Sequence, residues 1–157
     1  MQLAQFPGEV MRYGGEGCEH VRVASVTWED IEAAVRSAWA RDTCDPVDAD
    51  DWSAANPARG QCGTTALTIN DLLGGELLVA EVLRADGSRQ GVHWWNRLAD
   101  GTEIDLTREQ FASHEVIQQP RVVPRPSEPP KRAAEQYLTL KHRVLDALGL
   151  TEANDIR

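Results

Sequence analysis

Gly60-Gln61-Cys62-Gly63-Thr64-Thr65-Ala66-Leu67-Thr68-Ile69-Asn70-Asp71-Leu72-Leu73-Gly74-Gly75 reads as one helix with its stop attached. Cys62, Ala66, Ile69 and Leu73 fall at helical spacing and share one face. Gly74-Gly75 ends the helix, because glycine tolerates the left-handed backbone found at helix C-termini. The helix therefore begins at or just before Cys62 and carries a thiol in its first turn.

Outward from this helix the pattern changes period. Glu76 to Leu83 is rich in Leu and Val and reads as a strand, with Asp86-Gly87 as its turn. Gly91 to Leu98 reads as a second strand, and Asp100-Gly101 as a second hairpin turn. Glu103 to Leu106 reads as a third. In Thr107-Arg108-Glu109-Gln110-Phe111, Thr107 and Gln110 fit the two ends of a capping box, which predicts a short helix there.

On the N-terminal side, Thr27 caps a predicted helix with Asp30 three residues on, and Ile31, Val35, Ala38 and Trp39 give it an apolar face reaching to about Arg41. Residues 42–59 are acidic and turn-rich and read as a loop. Residues 1–25 lack periodicity and read as a loosely ordered leader ahead of a single domain over 26–157. Residues 119–130 hold five prolines and read as a connector. A last helix is expected from about Lys131 to Leu148, with Tyr137, Leu140, Val144 and Leu148 as its stripe and Gly149 as its stop. Consecutive strands joined by tight turns, flanked by helices, define an α+β fold: a Cys-bearing helix packed on a small antiparallel sheet, with N- and C-terminal helices.

The chain has 157 residues, a hydrophobic content of 41% and a formal net charge of -9. An acidic surface argues against nucleic acid and anionic membranes, which are gripped through Lys and Arg. No apolar run reaches the ~20 residues that span a bilayer. The N-terminus has neither the basic nor the apolar region of a signal peptide, so a cytoplasmic location is expected. Three cysteines without a CxxC pair, and four histidines distant from them, predict no disulfide framework, no metal site and no cofactor. The oligomeric state has no signature in the sequence.

The chemistry then rests on Cys62, His93 and Asp105. A thiol in a first helical turn meets free N–H groups and the positive end of the dipole. His93, on the second strand, is the expected base, and Asp105, after the next turn, is the expected acid that orients it. Gln61 is expected to donate to an oxyanion together with the Cys62 backbone N–H. Alternation along the strand puts His93 with Trp95, so Trp95 is expected in the cleft with Cys62, and Trp94 on the opposite side. Trp95 and Asn56 are candidate substrate contacts. Trp52 has two readings, an anchor for its loop or a wall of the pocket.

Asn56-Pro57-Ala58, Gly60-Gln61-Cys62, Thr65-Ala66-Leu67, Asp71 and Gly74-Gly75-Glu76 resemble the YunG-like family of small bacterial proteins. So do His93-Trp94-Trp95-Asn96-Arg97-Leu98, Asp100-Gly101, Ile104-Asp105-Leu106-Thr107 and Gln110-Phe111. More broadly, the Cys, His, Asp order is similar to papain-like and transglutaminase-like enzymes. That resemblance implies Cys62 as nucleophile, His93 as base and Asp105 as orienting acid. It implies a hydrolase or acyltransferase acting on an amide, ester or thioester of a small molecule or an exposed side chain. The alternative is a binding module that keeps the fold without catalysis, with Trp52, Trp94 and Trp95 lining a recognition cleft.

Overall fold

The computed structural model describes residues 26–126 and 129–150. The expected leader, with Cys18 and His20, lies outside the described residues. The elements run α1 (Trp28–Ala38), a 3-10 turn (Arg41–Thr43), α2 (Cys62–Leu73), β1 (Glu76–Leu83), β2 (Arg89–Arg97), β3 (Glu103–Ile104), a second 3-10 turn (Arg108–Gln110), β4 (Val116–Ile117), β5 (Arg121–Val123) and α3 (Ala134–Leu148). The fold is α+β, with the Cys-bearing helix packed on an open antiparallel sheet.

Helix α1 starts where Thr27 accepts from the Asp30 N–H while the Asp30 side chain accepts from the Thr27 N–H. Such a cap stabilises a helix by about 1 kcal/mol. The helix stops at Ala38, three residues short of the expected end. Trp39 turns extended and buries its ring, with Nε1 donating to Thr65 Oγ1 at 2.9 Å. A tertiary bond thus overrides local helical preference. Helix α3 begins at Ala134, later than expected, behind Ala133 at φ 52°.

The sheet runs β3-β2-β1-β4, with β5 also on β1. In the β1–β2 ladder Ala80 faces His93, Val79 faces Trp94 and Leu78 faces Trp95. Two-residue alternation then sorts the sheet. Leu77 and Trp94 pack with Ala66 and Leu67 of α2, and with Tyr137 of α3. Leu78, Ala80 and Trp95 pack together with Ile117 on the reverse face. Behind α2, the largest apolar cluster joins Ile31 and Val35 of α1, Ile69 of α2, and Leu140 and Val144 of α3. Helix α2 is therefore the central plank between sheet and outer helices.

Two strands were not expected. Val116–Ile117 pairs with Leu83 and Val82, and Arg121–Val123 pairs with Val79, Leu78 and Leu77. Both lie on the same edge of β1, and between them the Gln118 N–H donates to Glu81 O at 2.8 Å. The segment is one edge strand broken near Pro120, whose ring nitrogen has no hydrogen to give a ladder. The expected connector over 119–130 thus contributes to the sheet. The expected third strand shortens to Glu103–Ile104, so Asp105 stands just past its end.

Candidate active site

Helix α2 opens at Cys62 with a bare terminus. Its N-cap, Gln61, makes no side-chain cap bond, and its first turn has no acidic residue. The first N–H groups of any helix lack partners inside it, so donors surround the half-buried thiol. Cys62 Sγ lies 3.9 Å from the Val92 carbonyl oxygen, one residue before His93. Gly63 has open space where a side chain would stand.

His93 is fully buried. Its Nε2 lies 2.9 and 2.8 Å from the two oxygens of Asp105. A carboxylate only accepts, so Nε2 carries the proton of that bond. Nδ1 is left toward Gln110, whose Nε2 is 3.5 Å away. Trp95 stacks on the ring at 5.3 Å between centroids, and Phe111 meets it edge-on at 4.9 Å. Burial alone lowers the His93 pKa, but the Asp105 bond and then the nearby Cys62 outweigh it and push the pKa up to about 9.

A cavity of about 560 Å³ adjoins Cys62. Leu67, Val92, Trp94, Phe111 and Tyr137 supply apolar wall, and Gln110 a polar one. Pro126, Pro130, Lys131 and Arg132 close it from the C-terminal segment. That segment is tied down where Arg132 reaches both oxygens of Asp45, at 2.8 and 3.1 Å.

The remaining expected site residues take the following places. Gln61 is fully buried, accepting from Thr43 Oγ1 at 2.9 Å and donating to Ala40 O at 2.8 Å. Its amide braces the segment before the helix and is not presented beside the thiol. Trp95 lies on the reverse face of the sheet, buried, with Nε1 on Glu103 at 2.9 Å, and Trp94 takes the cavity side. Alternation paired His93 with Trp95 correctly, but the helix packs on the other face. Trp52 anchors its own loop, donating to Pro57 O at 3.0 Å. Asn56 donates to the Gln110 carbonyl at 3.1 Å and so joins two loops.

Gln110 was read as part of a capping box, yet Thr107 makes no side-chain cap bond. Instead Gln110 is buried, with Nε2 on Thr107 O at 3.0 Å and Oε1 taking the Gly60 N–H at 3.2 Å. Its place beside His93 had no local signal beyond the Gln110-Phe111 pair.

Cys44 is buried, with Sγ 3.2 Å from Arg59 O, and burial, then Asp48 and Asp45, push its thiol up to about 12. Among the described residues no group of three or more His, Cys, Asp or Glu is placed to hold a metal ion. Among them, too, no helix is long and apolar enough to cross a membrane.

The profile of the YunG protein family matches residues 27–149. A relative named "Uncharacterized protein YunG", from Bacillus subtilis (strain 168), is 30% identical over 83 residues, 53% of this chain and 62% of the relative. The chain thus spans less than two thirds of that relative's length. No solved structure matches.

Proposed function

The chain belongs to the YunG protein family, and we propose that it performs thiol-dependent acyl chemistry, as a hydrolase or acyltransferase with a papain-like or transglutaminase-like core. Cys62 is the nucleophile, His93 the base and Asp105 the residue that orients His93. The observation that supports this reading is the buried His93 ring, held through Nε2 by both oxygens of Asp105 and close enough to Cys62 for the thiol to raise its pKa, while Cys62 itself lies half-buried on a cavity. A ring pinned by an acid on one nitrogen offers the other for proton transfer.

Nδ1 takes the thiol proton. The sulfur lone pair forms a bond to the carbonyl carbon of an amide, ester or thioester, and the carbonyl π pair moves to oxygen. Collapse breaks the bond to the leaving group, which takes the proton back from Nδ1. Water or an amine then attacks the acyl-enzyme by the same route. The cavity's apolar wall and volume suit a small molecule or one exposed side chain.

Iodoacetamide kinetics across pH, with the labelled residue mapped by mass spectrometry, test this. Cys62 is expected to alkylate at least ~10-fold faster than free cysteine near neutral pH, and His93→Ala to remove that advantage. Ordinary thiol reactivity at Cys62, unaltered in His93→Ala, would leave a non-catalytic binding module as the better account.

A further inference from the structure

We infer that Gln110 Nε2 is a donor of the oxyanion hole, the role Gln61 does not fill. The inference rests on the acyl chemistry proposed above and assigns a further residue to it.

The orientation of the Gln110 amide is fixed by its neighbours. Oε1 accepts from the Gly60 N–H at 3.2 Å and Nε2 donates to Thr107 O at 3.0 Å. Flipping the amide would set two acceptors against each other and two donors against each other. Nε2 has two hydrogens, and Thr107 O uses one. The second is directed to His93 Nδ1 at 3.5 Å, at the outer edge of a hydrogen bond. Gln110 is only 6% exposed, and it lines the cavity that Cys62 lines.

The raised His93 pKa keeps a proton on Nδ1 at neutral pH, where Nδ1 is a donor and cannot accept. The second Gln110 N–H then has no acceptor at the ring and is left to the cavity that Gln110 lines. As sulfur adds to the carbonyl, negative charge gathers on the carbonyl oxygen, which accepts from that N–H. A buried donor without a partner is costly, and the bond is stronger to the oxyanion than to the neutral carbonyl, so it favours the tetrahedral state over the bound substrate. The unpaired N–H groups at the start of α2 supply the companion donor.

The test compares two reactions at Cys62 in the full chain. p-Nitrophenyl acetate acylates through an oxyanion; iodoacetamide alkylates by direct displacement without one. Gln110→Met keeps the side-chain length without a donor and is expected to slow acylation ~100-fold while alkylation stays within about threefold. An equal fall in both rates would reduce Gln110 to a brace for His93 and overturn the inference, as would unchanged acylation. A wild-type Cys62 that alkylates rapidly but is never acylated also overturns it. A Cys62 no more reactive than free cysteine defeats the acyl-chemistry reading itself. One measurement needs no variant: reversible addition of acetaldehyde to Cys62 should move the Gln110 side-chain amide proton downfield by NMR. An unmoved resonance on formation of the hemithioacetal counts against the donor role.

Discussion

The His93 imidazole and the Asp105 carboxylate, twelve residues apart, meet through both carboxylate oxygens on a single ring nitrogen, in a site where the ring is wholly shielded from water. The pairing depends on the turn at Asp100-Gly101, where Gly101 sits at φ 86° and Leu98 N–H donates to Thr102 O at 2.8 Å. The turn returns the chain along β2, and Asp105 leaves the short strand just where the ring begins.

The first prediction concerns the titration of this ring. His93 should titrate near 9 by NMR, and Asp105→Asn should bring it down toward the ordinary value of about 6.5. The folded pKa lies above the unfolded one, so the charged ring stabilises the fold fully below about pH 6.5, and this contribution is lost as pH rises through 9. It is on the order of 3 kcal/mol. Urea unfolding at pH 6 and pH 9.5 should show the loss in the wild type and a much smaller one in His93→Gln.

Cysteine labelling should separate the two described thiols. In a Cys18→Ser background, native protein should take up one equivalent of iodoacetamide quickly, at Cys62. Cys44 is buried and its thiol is pushed up to about 12, so it should label only in denaturant. Peptide mapping reads this directly, and early native-state labelling at Cys44 would contradict it.

Gly60→Ala should be among the most damaging small changes in the molecule. Gly60 has φ +69°, and an added Cβ would overlap Cys44 Sγ and sit 2.7 Å from Asp48 Cβ. Left-handed strain and overpacking together cost roughly 2–4 kcal/mol, measurable by chemical denaturation. Adding Cys44→Ala should restore part of that loss, because it removes the contact with sulfur but leaves the Asp48 Cβ contact and the strained φ.

The two adjacent tryptophans should behave differently. Trp95→Ala empties the packing among Leu78, Ala80 and His93 and should destabilise by about 3–5 kcal/mol. Trp94→Ala enlarges the cavity and should act mainly on KM for an acyl substrate, with a smaller loss of stability. If Trp95→Ala left stability intact while raising KM, the face assignment of the sheet would be reversed.

The elements with strong local punctuation were legible in the sequence. Thr27 with Asp30, Gly74-Gly75 after an apolar face, and Asp-Gly turns each carry their own structural instruction, and α1, α2, β1 and β2 follow from them. The edge strand of β4 and β5 did not, because Val116–Ile117 and Arg121–Val123 are short, flanked by proline and held only by pairing with β1. The face of β2 that meets α2 was also hidden. Alternation says which residues share a side, but only tertiary packing says which side the helix takes. Gln110 was misread for a related reason: its spacing from Thr107 fits a local cap, while burial gave its amide distant partners in Gly60 and His93.

The segment pinned by Arg132 to Asp45 has a consequence for biosynthesis. Cys62, His93 and Asp105 emerge from the ribosome well before Pro126, Pro130 and Tyr137, which wall the cavity, and before Arg143, which grips Asp42 at 2.8 Å. A nascent chain thus exposes its thiol before the C-terminal wall of the cavity exists. Premature termination near residue 125 would release a polypeptide that holds Cys62, His93 and Asp105 but lacks α3 and the C-terminal wall of the cavity.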